Sequence, residues 1–179
     1  MVLYGAQGLT QRSQAYQLLA LAAEEHWGMA QLPPILREAR GKPRFDGGAG
    51  REFNLSHSGP LALCALDHRP VGVDVQLIKA WRPALMRRVC SPRELAWVEA
   101  GPDCHSRFTQ LWALKESRAK QDGAGLTRPI ANIRVPLPDG LGGPMEADGL
   151  WFQTYSGPSW RGAVCGQTPP PQEIFWLCW

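Results

Sequence analysis

Residues 71–78 read Val-Gly-Val-Asp-Val-Gln-Leu-Ile. The aliphatic side chains recur at every second position. Val71, Val73, Val75 and Leu77 point one way, and Gly72, Asp74, Gln76 and Ile78 point the other. This spacing predicts a strand that is buried on one face and carries a carboxylate on the opposite face. Just upstream, Pro60 to Leu66 is another short apolar run, separated from the first by Asp67-His68-Arg69-Pro70. The two runs read together as a β-hairpin.

Working outward, residues 2–4 suit a short strand. Ala15, Leu18, Leu19 and Ala22 recur at helical spacing between Ser13 and Trp27, with Gly28 as a stop. Leu32 to Arg40 reads as a second short helix with Pro33 and Pro34 in its first turn, and Lys42 to Gly50 as loop. Downstream, Ser91-Pro92-Arg93-Glu94 is a capping-box start for a helix running to about Ala100. Phe108 to Gln121 is a strong helix closed by Asp122-Gly123. Ile130 to Val135 suits a strand, Trp151 to Tyr155 and Trp160 to Cys165 a hairpin around Gly157-Pro158-Ser159, and Ile174 to Trp179 a last strand. The fold class is α+β with antiparallel pairing.

The 179 residues are 44% hydrophobic and 20% charged, which suits a folded globular chain rather than a disordered one. No apolar run approaches the roughly 20 residues that span a bilayer, and the first residues lack an export signal. The expected location is therefore cytoplasmic, with the five Cys as reduced thiols; they form no CxxC pair or zinc-like grouping with the four His. The net charge is +3, but residues 107–134 hold Arg107, Lys115, Arg118, Lys120, Arg128 and Arg134 against only Glu116 and Asp122. A local basic segment in a near-neutral chain suits an anionic ligand better than bulk nucleic acid.

Three places carry chemistry. Asp74 is either a strand-edge residue facing water or a ligand for a hard cation, since Mg²⁺ favours one or two carboxylates plus phosphates and waters. Glu116 lies between Trp112 and Lys120 on one helical face at i, i+4 spacing, either as an ordinary Glu–Lys pair or as a metal carboxylate one turn from an ammonium. The stretch Phe53-Asn54-Leu55-Ser56-His57-Ser58-Gly59 reads as a polar loop, which either satisfies its own turn or donates hydrogen bonds to phosphate oxygens. It contains no nucleophile elbow.

The order of these pieces is more informative than any one of them. Gly41-Lys42-Pro43, then Asn54 to Ser58, Gly72 to Gln76, Ser91 to Trp97 and Trp112 to Leu126 resembles the 4′-phosphopantetheinyl transferase superfamily, in its larger monomeric branch, over about residues 41–135. The resemblance implies two similar α+β halves, 1–76 and 77–179, related by a pseudo-two-fold axis with the active site in the cleft between them. It implies transfer of the 4′-phosphopantetheine arm of coenzyme A to a serine of an acyl or peptidyl carrier protein, with Mg²⁺ and with release of adenosine 3′,5′-bisphosphate. Asp74 and Glu116 would hold Mg²⁺, with Gln76 beside them where many relatives have a second acid. Lys120 would contact the phosphates, Lys42 the adenosine portion, and Ser56 and His57 the phosphate groups. Lys115 is counted with the coenzyme A-binding residues. Glu116, directly or through a metal-bound water, is the candidate base for the serine hydroxyl. The N-terminal basic residues of larger relatives have no clear counterpart, Arg12 being a possible substitute. The expected partners are coenzyme A and a carrier protein, with no nucleic acid or membrane and a monomeric state. The rival reading is an inactive relative that binds coenzyme A or a carrier protein without turnover.

Overall fold

The computed structural model describes residues 1–37, 41–123, 129–139 and 143–178. Its elements are β1 (Val2–Gln7), α1 (Gln14–Trp27), β2 (Ile35–Arg37), β3 (Pro43–Phe45), β4 (Glu52–Ser58), β5 (Leu61–Asp67), β6 (Val71–Leu77), α2 (Pro83–Val89), α3 (Pro92–Glu99), α4 (Cys104–Gln121), β7 (Met145–Ala147), β8 (Leu150–Gly157), β9 (Trp160–Gly166) and β10 (Phe175–Leu177). Two four-stranded sheets have the orders β10-β1-β5-β4 and β6-β9-β8-β7, and β2 and β3 form a separate hairpin. In both sheets a strand followed by helix is flanked by the later strand of a hairpin, so β1-β5-β4 and β6-β9-β8 share one order. Pairing is antiparallel except for β10, which runs parallel to β1.

The alternation read from residues 71–77 decides how the sheets pack. Val71, Val73 and Val75 bury against Leu3, Leu61, Leu63 and Ala65 of the first sheet and against Val164 and Tyr155 of their own. On the outer faces, α1 covers the first sheet with Leu18, Leu19 and Ala22. Ala113 and Leu114 of α4 cover the second beside Phe152, Ala163 and Cys165. The chain thus stacks as helix, sheet, sheet, helix.

Several expectations meet local physics as foreseen. α1 stops at Gly28, whose left-handed backbone (φ 66°) lets its N–H reach the Glu24 carbonyl. The Ser91 capping box forms both of its reciprocal bonds. β8 and β9 pair up to Gly157–Trp160 around the foreseen turn.

Others are corrected. β5 and β6 are not hairpin partners: β5 pairs with β1 and β4, and β6 with β9, so the chain changes sheet between Asp67 and Val71. That crossing precedes the 76/77 boundary, which falls inside β6. The partner of β5 is the stretch read as a polar loop, which forms strand β4 because every second side chain in it has a place to go: Phe53 and Leu55 into the first core, Asn54, Ser56 and Ser58 onto β6. The short helix foreseen over 32–40 is instead β2, paired with β3 through Ile35–Phe45 and Arg37–Pro43; residues 38–40 lie outside the described residues. The strand foreseen at 130–135 is a single 3-10 turn, Ile130–Asn132, followed by irregular backbone between Pro129 and Pro136. Helix α4 begins at Cys104, four residues early, because Asp103 caps it by accepting from the His105 and Ser106 N–H groups. The last strand is confined to Phe175–Leu177, and Trp179 lies outside the described residues. All five cysteines are free thiols, and no described helix is long and apolar enough to cross a membrane.

Candidate active site

The site forms where the edge strands of the two sheets meet under α4. β6 has β9 on one side. On its other side, side chains of β4 take its backbone donors in turn. Val73 N–H donates to Asn54 Oδ1 (3.0 Å), Val75 N–H to Ser56 Oγ (3.2 Å) and Leu77 N–H to Ser58 Oγ (3.0 Å). This ladder of side chains stands in for a missing strand and satisfies an edge that would otherwise be buried without partners. It explains the Asn-x-Ser-x-Ser spacing, which sequence reading took for a loop.

Above β6, α4 comes unusually close. A Cβ at Gly72 would lie 2.0 Å from the Ser117 carbonyl oxygen and 2.5 Å from the Gln121 nitrogen, so only glycine fits there. The face that carries Gly72, Asp74 and Gln76 is therefore the one under α4, and Asp74 is only 2% exposed. The start of the helix is fixed by an aromatic cluster. Trp81 stacks on Trp112 (5.5 Å between centroids), meets Phe108 edge-on and donates through Nε1 to Thr109 Oγ1 at 2.8 Å.

Close approach puts Lys120 onto Asp74. The Lys120 ammonium donates to Asp74 Oδ1 (2.7 Å), Ser56 Oγ (3.0 Å) and the Val73 carbonyl (3.1 Å). Ser56 donates to Asp74 Oδ1 at 2.8 Å, and Gln76 Nε2 donates to Asp74 Oδ2 at 3.0 Å. Asp74 and Gln76 thus share a face, as the strand alternation predicted. Glu116, half-buried one turn before Lys120, makes no hydrogen bond or ion pair with a described residue. Burial first, and then the Asp74 charge, push its carboxyl above the ordinary value, with Lys120 opposing. Two carboxylates against one ammonium leave the cluster one negative charge in excess. An uncompensated, half-buried carboxylate beside a second one, with an amide side chain alongside, is a donor set suited to a hard divalent cation. The residues present therefore fit Mg²⁺.

The other sequence-derived residues divide. Lys42 donates to the Gln121 carbonyl at the end of α4 (2.9 Å) and lies 3.9 Å from Glu52. With Lys120, Asn54 and Leu55 it lines a pocket of about 220 Å³ next to the cluster. His57 is exposed on the opposite face of β4 from Ser56. Burial, then the charges of Arg12 and Lys120, lower its pKa, so Arg12 does share the electrostatic environment of this edge. Lys115 is a correction. Its ammonium is fully buried and donates to Glu94 Oε2 (2.8 Å), the Val89 carbonyl (3.0 Å) and the Ile130 carbonyl (3.1 Å). With all three protons engaged it joins the ends of α2 and α3 to α4 and has no donor to spare.

Residues 70–175, more than half of the chain, match the 4′-phosphopantetheinyl transferase superfamily. The chain belongs to that superfamily. It is 33% identical to a 4′-phosphopantetheinyl transferase of Bacillus subtilis over 136 residues, covering 72% of this chain and 61% of that protein. It is 37% identical to the 4′-phosphopantetheinyl transferase AcpT of Salmonella typhimurium over 119 residues (63% of this chain, 61% of that protein). It is 36% identical to the 4′-phosphopantetheinyl transferase HetI of a Nostoc species over 109 residues (56% and 45%). The chain thus spans less than two thirds of the length of these relatives. The match takes in β6, α4 and the β8–β9 hairpin, and so covers Asp74, Gln76, Glu116 and Lys120, whereas Lys42, Asn54 and Ser56 lie before it.

Proposed function

We propose that this chain transfers the 4′-phosphopantetheine arm of coenzyme A to a serine hydroxyl of an acyl or peptidyl carrier protein and releases adenosine 3′,5′-bisphosphate. The observation that carries this reading is the Asp74–Glu116–Lys120 cluster, set at the β4–β6 seam in a chain of this superfamily.

Asp74 and Glu116 would hold Mg²⁺, with the Gln76 amide oxygen or a water beside them. When bound, the ion neutralises charge on the pyrophosphate. The protein's own groups do the rest. Lys120 exchanges one of its three acceptors for a phosphate oxygen and stabilises charge on the departing bisphosphate. Lys42 borders the pocket next to that position and suits the adenosine portion. Arg12 and His57 supply donors for a further phosphate on the outer face of β4. Glu116, whose pKa burial and the Asp74 charge push above its ordinary value, takes the proton from the carrier serine directly or through a water. The serine oxygen forms a bond to the phosphorus that bears the pantetheine arm, and the bond from that phosphorus to the bridging oxygen breaks. The proton passes to Glu116 and the electron pair leaves with adenosine 3′,5′-bisphosphate, so the step balances without a further reactant.

Carrier proteins are usually acidic around the modified serine. Helix α2, which follows the Asp74 strand, exposes Arg87 and Arg88, and Arg82 is exposed just before it, with Leu85 half-buried among them, a surface suited to such a partner. The deciding experiment is intact-mass spectrometry of several apo carrier proteins with this chain, coenzyme A and Mg²⁺. The expected result is a gain of one phosphopantetheine arm that EDTA abolishes. Coenzyme A binding without any mass gain would favour the binding-protein rival.

A further inference from the structure

The resemblance places Ser56 among the phosphate ligands, but its hydroxyl has no hydrogen-bonding capacity left for one. A serine hydroxyl offers one proton and two lone pairs. The Ser56 proton goes to Asp74 Oδ1 (2.8 Å), and its oxygen accepts from the Val75 N–H (3.2 Å) and from Lys120 (3.0 Å). The residue is buried and sits in β4, whereas Asp74 and Lys120 come from β6 and α4. One side chain of the first sheet therefore touches both the carboxylate and the ammonium of the site built by the second.

We propose that Ser56 is a positioning residue for the cation site, which fixes the orientation of the Asp74 carboxylate, and is not a phosphate ligand; Lys120 keeps its place through Asp74 and the Val73 carbonyl. The proposal rests on the metal-dependent reading above. Its neighbour in the ladder makes the contrast. Ser58 performs the same sealing of β6, through Leu77, but is not among the groups bonded to Asp74 or Lys120. Sealing the seam and orienting the carboxylate are thus separable by comparing the two serines. A hydroxyl that orients a metal-binding carboxylate acts through the ligand, and loss of such an outer contact typically costs on the order of tenfold or more in metal affinity.

The experiment compares Ser56→Ala with Ser58→Ala. Mn²⁺, which takes the same oxygen ligands as Mg²⁺, is titrated into each metal-free protein and followed by water-proton relaxation. Coenzyme A is titrated separately in EDTA. Both substitutions should lower the melting temperature, since each orphans one β6 donor, and Ser56→Ala the more, because its bonds with Asp74 and Lys120 are lost as well. Only Ser56→Ala should weaken Mn²⁺ binding, by about tenfold, while coenzyme A binding in EDTA stays at the parent level. Should Ser56→Ala not fold, Ser56→Cys keeps the side-chain size with a poor donor, and the same Mn²⁺ loss is expected. Equal Mn²⁺ affinity in the parent and the Ser56 variant, or an equal loss in the Ser58 variant, overturns the proposal. So does weakened coenzyme A binding in EDTA by the Ser56 variant, which would make Ser56 a phosphate ligand after all. A parent that binds Mn²⁺ but no coenzyme A would remove the transferase reading and leave the comparison of the two serines standing.

Discussion

Lys120 pairs with Asp74 of β6 at 2.7 Å rather than with Glu116, its neighbour one turn earlier on the same helix. A Glu–Lys pair at i, i+4 needs no tertiary structure, and its worth on an exposed helix is a few tenths of a kcal/mol. The pair observed instead requires α4 to lie directly on β6, which Gly72 permits. The consequence falls on Glu116. With the ammonium committed elsewhere, its carboxylate remains half-buried, near a like charge, and ready for a cation or a proton.

Replacement of Glu116 separates a chemical role from a structural one. Glu116→Gln should cut turnover on the order of a hundredfold or more if the carboxylate binds Mg²⁺ or acts as base. Stability should move the other way. The folded-state pKa of Glu116 is raised, so its contribution favours folding below the ordinary carboxylate range and is lost as pH rises through the raised value. In EDTA at neutral pH the Gln variant should therefore melt at or above the parent's temperature, and its advantage should shrink as pH falls toward 4. A variant that keeps most of its turnover would remove Glu116 from the mechanism.

Lys115 should behave as the opposite kind of residue. Lys115→Met leaves Glu94 buried without its cation and the Val89 and Ile130 carbonyls without their donor. Breaking such a buried pair costs about 3–5 kcal/mol, to be measured by denaturant unfolding. Adding Glu94→Gln should recover part of the loss, because the orphaned charge is gone while the capping acceptor for Ser91 remains. The KM for coenzyme A of whatever folds should match the parent. A stable Lys115→Met with a raised KM would return Lys115 to the ligand set.

The contrast between the two lysines shows where reading the sequence stops. The β6 alternation, the α4 face and the Ser91 cap are local patterns with a fixed period or spacing, and each was legible. Asp74 and Gln76 on one face follow from a period of two. That Lys120 is presented to a carboxylate and Lys115 is sealed within the core depends on which side of α4 lies on β6 and which lies on α2 and α3. Both lysines occur in the same run of charged residues, so charge alone could not separate them. The polar stretch in β4 was misread for a related reason. Its side chains serve a neighbouring strand's backbone, a long-range partnership that its composition resembles a loop in hiding. One missed element did have a local signal: Asp148-Gly149, both left-handed (φ 53° and 71°), is the turn pair that joins β7 to β8.

The α2 surface yields a prediction about partner choice. Arg87 and Arg88 are exposed and stand outside the metal cluster. Reversing both to Glu should raise the KM for an acidic carrier protein, more steeply at low salt, and leave that for coenzyme A unchanged. Steady-state kinetics with each substrate varied in turn would show it. Equal effects on both substrates would place these arginines outside carrier docking.

Gln76 tests how the cation site is completed. Its amide donates to Asp74 Oδ2, so a carboxylate at this position would face Asp74 without that hydrogen bond and with a like charge in its place. Without metal, Gln76→Glu should therefore melt below the parent at neutral pH, and the difference should narrow as acid neutralises one carboxyl. A divalent cation reverses the sign, because three carboxylates bind Mg²⁺ more strongly than two and an amide. Calorimetric titration without coenzyme A should show tighter Mg²⁺ binding by the Glu form, and its melting temperature should rise more steeply with added Mg²⁺. Turnover need not follow, since a third negative group also repels the pyrophosphate that Lys120 and the ion must attract. If the Glu form binds Mg²⁺ no more tightly than the parent, the cation does not sit between Asp74, Gln76 and Glu116, and the proposed geometry of the site is wrong.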